Sequence, residues 1–193
     1  MRENYEKTKI NEQKYGLSRY FLLVLILSFL GWAFETGFVW LAFGKFQDRG
    51  FMTLPFCPIY GVSLFGMYLL AGTPDEPKGV LKGVDNRVFR YLFYFLIGFI
   101  VPSLAELIVG FAFDKLFHNP LWDYSPQPLN LNGYVCLPVS LVWATLIFFF
   151  MKFAFTPIKN LLGKTPVTLV RIFAAFVLFA CIVDIVYNFS QVL

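Results

Sequence analysis

Charge is what this sequence lacks. Only 15% of its 193 residues are Asp, Glu, Lys or Arg, against about 25% in a soluble domain. That scarcity excludes an ordinary water-soluble globule. It also excludes a disordered chain, which depends on charge and polarity. Histidine is nearly absent: His118 stands alone, in a stretch with Asp114 and Asp123. One His and two carboxylates could hold a metal, but a solvated loop residue is the plainer reading. No metal and no other cofactor is expected. Cysteine is also sparse. Cys57, Cys136 and Cys181 read as packed thiols, with a Cys57–Cys136 disulfide as the alternative.

Catalytic signatures are missing as well. The chain has no His-Glu-x-x-His, no Gly-x-Ser-x-Gly and no dinucleotide fingerprint. Gly163-Lys164-Thr165 imitates the end of a phosphate loop, but Ile158 stands where the opening Gly is required. A nucleotide site is therefore excluded, and the enzyme reading ranks below the non-enzyme one.

What is abundant is apolar. Hydrophobic residues make up 58% and aromatic residues 20%, which suits a lipid-facing surface with aromatic belts. A bilayer core of about 30 Å takes about 20 apolar residues in helical form. Five runs approach that length: residues 20–43, 56–72, 89–113, 135–155 and 167–189. The fold class is thus all-α, a polytopic transmembrane bundle of five spans (residues 20–193). A cytoplasmic N-terminal segment, residues 1–19, precedes it. The first run reads as a retained signal anchor.

The 16 Lys and Arg residues divide unevenly between the two sides of such a bundle. Thirteen fall in the N-terminal segment, the stretch from Lys78 to Arg90 and the stretch from Lys152 to Arg171. Only Lys45, Arg49 and Lys115 fall on the other side. The positive-inside rule places the N-terminus in the cytoplasm and the C-terminus outside the cell membrane. The net charge of +4 then reflects orientation and anionic-lipid contact, not nucleic acid. The loop at 73–88, rich in Pro, Gly and charge, reads as a mobile connector. Residues 155–166 read as a second cytoplasmic loop.

The first four spans suggest a parallel repeat of two helical hairpins, followed by a fifth helix. Each outgoing helix carries a Glu near its outer end, Glu35 and Glu106. Each returning helix starts near a Cys and a Pro, at Cys57-Pro58 and Cys136-Leu137-Pro138. Glu35 and Glu106 lie 16 residues beyond Arg19 and Arg90, and Asp184 lies 13 beyond Arg171. At 1.5 Å per residue the three acids occupy one layer, about 20–24 Å above the basic girdle. Each shares a face with small or polar residues: Ser28 and Gly31, Ser103 and Gly110, Cys181 and Asn188. An intramembrane carboxylate is a functional candidate by default. The candidate site is an outward-facing polar pocket built from these acids and two outer loops, residues 44–55 and 114–133.

Gly31-Trp32-x-x-Glu35, Arg49-Gly50-Phe51 and Cys57-Pro58-Ile59-Tyr60-Gly61 form one motif cluster. Trp122-Asp123-Tyr124-Ser125 and Asn130-Leu131-Asn132-Gly133 form another. With these the chain resembles the putative ABC-transporter type IV, or CmpB-like, bacterial membrane proteins. Leu54 and Tyr134 depart from that pattern, where Gly and Arg are usual. The resemblance implies that Glu35, Arg49, Asp123 and Asn132 matter, and Trp122 and Tyr124 join them as candidate pocket residues. It implies a permease-like transport component. Its partners would be the lipid bilayer and either a separate ATPase subunit or further copies of the chain. The alternatives are a membrane-embedded enzyme acting on a lipid or lipid-linked substrate, and a structural or regulatory membrane protein.

Overall fold

The computed structural model describes residues 16–44, 46 and 50–192. Most of the segment 1–19, and Arg49 of the candidate site, lie outside the described residues. The described chain forms six α-helices and one small hairpin. The helices are α1 (Leu17–Phe43), α2 (Pro58–Ala71), α3 (Arg87–Phe117), α4 (Leu137–Phe153), α5 (Phe155–Lys164) and α6 (Val167–Val192). The hairpin strands, β1 (Asn130–Leu131) and β2 (Val135–Cys136), are antiparallel, and a single 3-10 turn covers Gly79–Leu81.

The boundaries have local causes. Gly44 adopts a left-handed conformation at φ +66°, and its N–H returns to the Trp40 carbonyl to close α1. Pro58 sits in the first turn of α2, where its missing N–H removes no helical bond. The Asn86 side chain caps α3, accepting from the Val88 and Phe89 N–H groups at 2.9 and 3.2 Å. The helix then continues four residues past the apolar run. Asp114 and Lys115 therefore belong to its last turn and not to a loop.

Three helices among the described residues are long and apolar enough to cross a membrane: Leu17–Leu41, Arg87–Phe117 and Val167–Gln191. The pair α4 and α5, bent by 43°, counts as a fourth if taken as one span. The second run, the shortest of the five, holds a helix of only 14 residues, about 21 Å long, preceded by irregular chain. One sequence expectation is corrected. The expected loop at 155–166 is mostly the helix α5. Only 28, 11 and 22% of the most apolar windows of the three long helices is buried inside the protein. Apolar helices so little covered by protein need lipid around them. Phe173, Phe176, Phe179 and Val183 of α6 are exposed accordingly.

Helix α1 packs along α2 and α3 along α4, while α2 touches α3, and α1 also meets α5 and α6. Leu23, Leu27, Met67, Tyr94, Met151 and Phe155 anchor one buried core. Two glycines let α1 and α2 approach closely. A Cβ at Gly31 would stand 2.5 Å from the Tyr60 ring, and one at Gly61 would overlap Ser28 Oγ and the Val24 carbonyl.

Positive side chains from several segments meet at one end of the bundle. Arg19 donates to the Leu162 and Thr165 carbonyls at 3.2 and 2.9 Å, at the C-terminal end of α5. Lys78 and Lys159 both donate to the Tyr68 hydroxyl, at 3.0 and 2.9 Å. Arg90 donates to the Pro74 and Val84 carbonyls at 3.0 and 3.2 Å. The segment 73–88, expected as a mobile connector, is instead tied down. Thr73 and Glu76 bond reciprocally, Tyr94 donates to the Gly72 carbonyl at 3.1 Å, and Thr73 and Pro74 are buried.

Candidate functional site

Helices α1, α2, α3, α4 and α6, together with two connecting segments, surround a cavity of about 1010 Å³. Most of its wall is apolar, as at Leu30, Phe34, Ile59, Val109 and Phe150. Glu35 of α1, Tyr60 of α2 and Glu106 of α3 interrupt that wall. The cavity is thus a mostly apolar chamber with one carboxyl–phenol cluster.

The cluster follows from how α2 begins. The Cys57 N–H donates to the Ser28 carbonyl at 3.1 Å, fixing the start of α2 on α1. Three residues on, the Tyr60 ring lies over Gly31 and 5.2 Å from the Trp143 ring. The Tyr60 hydroxyl then donates to Glu35 Oε2 at 2.6 Å. Glu106 stands within electrostatic reach of both Glu35 and Tyr60. No described residue donates a hydrogen bond to Glu106. Tyr60 and Trp143 were missed as site residues. The only signal for Tyr60 was its place in the Cys57-Pro58-Ile59-Tyr60-Gly61 motif.

Trp122 and Tyr124 also line the cavity. The Trp122 indole donates to the Tyr134 carbonyl at 2.9 Å, and both residues lie against Gly110 of α3. The Tyr134 hydroxyl in turn donates to Asp114 Oδ2 at 2.6 Å, tying the loop to the end of α3.

Three other candidates do not line the cavity. Asp123 accepts the Ser125 N–H at 2.8 Å and closes a turn. Hydrogen bonds from the Ser125 side chain and backbone hold the Asp123 carboxyl below the usual aspartate range. Asn132 and Gly133, at φ +52° and +76°, are the central residues of the turn between β1 and β2. That turn is closed by the Tyr134 N–H on the Leu131 carbonyl at 3.0 Å. Two positive φ values mark a primed hairpin turn, a conformation that Asn and Gly adopt most readily. Asp184 Oδ2 accepts the Thr53 and Leu54 N–H groups at 3.0 and 3.3 Å. Its neighbour Asn188 donates to Thr53 Oγ1 at 3.1 Å. Asp184 therefore pins the segment that leads into α2.

His118 ends α3 at φ +51°. No group of three or more His, Cys, Asp or Glu among the described residues could hold a metal ion. Cys57, Cys136 and Cys181 are free and buried.

Long apolar helices, bared to lipid and framing a half-open cavity, define a multi-pass integral membrane protein. Over residues 22–189 the chain matches the family described as Putative ABC-transporter type IV, and it belongs to that family. No curated protein and no solved structure matches it.

Proposed function

We propose that this chain is a membrane transport component whose chamber receives a largely apolar molecule. The observation that carries the reading is the cavity of about 1010 Å³ with a mostly apolar wall. Small-molecule sites are commonly about 300–1,000 Å³, so the chamber has room for a lipid-sized guest. The family description, with its transporter label, supports the same class. The chain carries no nucleotide-binding loop, so an ATP-driven cycle would use a separate ATPase. Helix α5 and the segment 73–88, both at the basic end, are the surfaces for it. The convergence of Arg19, Lys78, Arg90 and Lys159 at that end supports a cytoplasmic placement there, with the C-terminus outside.

The test is equilibrium binding of a brominated long-chain alcohol to the protein in nanodiscs, read by tryptophan quenching at Trp122 and Trp143. Quenching is expected to saturate. Ala105→Phe, which fills the chamber from α3, is expected to remove the saturable part. Quenching that rises linearly, as for partition into lipid, overturns the reading.

A further inference from the structure

We infer that an anionic phospholipid sits at the seam between α3 and α4, with its phosphate on Lys152 and an acyl chain along the exposed face of α4. This site lies outside the chamber and does not depend on what the chamber receives.

Lys152 stands in the last turn of α4. Its ammonium lies 4.6 Å from the centre of the Tyr91 ring, 5.2 Å from that of Phe153 and 5.9 Å from that of Phe148. Tyr91 belongs to α3, and its ring meets Phe148 edge-on at 5.3 Å, so the lysine marks the seam between the two helices. The rings attract the cation but supply no oxygen to accept its three N–H groups. Among the described residues no carboxylate pairs with Lys152. Asp75, the acid of this cluster, is already engaged. It accepts from the Tyr91 hydroxyl at 2.5 Å and pairs with Arg87 at 3.6 Å. Arg87 also donates to the Tyr91 hydroxyl, at 2.9 Å. Two cations and one carboxylate around a single phenol leave the cluster net positive, which favours a phosphate with no cation of its own.

The surface beside Lys152 says what carries that phosphate. Phe153, Phe149, Leu146 and Val142 recur every three to four residues on α4, and all are exposed. Phe149 and Phe153 stack at 6.2 Å. From Phe153 to Val142 the stripe covers about 16 Å of helix, the depth of one leaflet of a core of about 30 Å. A soluble anion would use the charges and leave this stripe bare. A phospholipid uses both, headgroup at the helix end and chain along the stripe.

The test offers the full-length protein, stripped of lipid in neutral detergent, an equimolar mixture of dioleoyl phosphatidylglycerol and dioleoyl phosphatidylcholine. Native mass spectrometry reads which lipid binds first. Phosphatidylglycerol is expected to lead by about fivefold, the effect of one basic side chain beside an anionic headgroup. Lys152→Gln is expected to bring the ratio near one, and Lys152→Arg to preserve it. Lys164→Gln, which removes the same charge from α5 at the same end of the bundle, is expected to preserve it too. Equal binding of the two lipids by the unmodified protein overturns the inference, as does a preference that survives Lys152→Gln. An equal loss in Lys164→Gln would show diffuse surface charge and overturns it as well. Excess inorganic phosphate at constant ionic strength should leave the ratio in place; if it abolishes the ratio, the site takes a soluble anion and not a lipid. Should Lys152→Gln not fold, Lys152→Met, which keeps an apolar stem over the rings, takes its place.

Discussion

Tyr60 donates its phenolic hydrogen to Glu35 Oε2 over 2.6 Å, and its ring fits there because Gly31 has no side chain. A methyl group at Gly31 would meet that ring at 2.5 Å. The two residues join α1 to α2 at the wall of the chamber.

Gly31→Ala is therefore expected to destabilise the protein by about 1–3 kcal/mol, the usual cost of overpacking. Tyr60→Phe keeps the ring and removes only a hydrogen bond to a carboxyl group, worth about 1.5–3 kcal/mol. The double variant should cost less than the sum, because the shifted ring in Gly31→Ala already strains the same bond. Thermal melting in detergent measures all three. Strict additivity would mean that Gly31 and Tyr60 are not coupled.

Asp184 makes the opposite case. Its carboxylate serves the Thr53 and Leu54 N–H groups, away from the chamber. Asp184→Ala is expected to lower the melting temperature, since hydrogen bonds to a charged acceptor are worth about 1.5–3 kcal/mol. Binding of the long-chain alcohol by the folded variant should be unchanged. Loss of that binding without loss of stability would make Asp184 a chamber residue after all.

These two acids show what was legible in the sequence. Counting residues from the basic girdle gives depth along a helix but not direction around it. Glu35 and Asp184 share a layer, yet one faces the chamber and the other faces the lead-in to α2. The small-residue rule reached further. Gly31, read as a mark of helix contact, does receive Tyr60 of α2, whereas Gly110 receives Trp122 and Tyr134 of the connecting segment and not a helix. Asn132-Gly133 carries a hairpin signal, and it does form the turn between β1 and β2. Helix α5 was taken for a loop because Pro157, Lys159 and Lys164 break the apolar run, while Phe155 and Leu162 are nonetheless buried. The apolar character of the chamber was not legible, because its wall is assembled from segments distant in sequence.

The loop residue Asp123 supplies a pH dependence. Hydrogen bonds from the Ser125 side chain and backbone hold its carboxyl below the usual range, so the folded state favours the ionised form. The stabilisation is then present above the ordinary aspartate value of about 3.9 and is lost as the pH falls through and below it. Asp123→Ala should speed hydrogen exchange at the Ser125 amide near pH 6. The difference should shrink toward pH 3. An equal difference at both values would show that the ionised carboxylate is not what protects the amide.

The last prediction concerns α2, on which the number of membrane crossings depends. With 14 residues it covers about 21 Å of a hydrocarbon core of about 30 Å. Irregular chain at membrane depth is tolerated only where protein satisfies its backbone. The residues leading into α2 meet that condition. The Thr53 and Leu54 N–H groups bond Asp184, the Phe56 N–H bonds the Leu54 carbonyl at 2.6 Å, and the Cys57 N–H bonds the Ser28 carbonyl. This segment can therefore complete a crossing that the helix alone cannot. On that reading Gly16→Cys and Asp85→Cys are labelled by an impermeant thiol reagent from the same side of the membrane, and Gln191→Cys from the other. The three native cysteines are buried and provide the unlabelled background. If Gly16 and Asp85 are labelled from opposite sides, α2 dips in and returns, and the chain crosses four times.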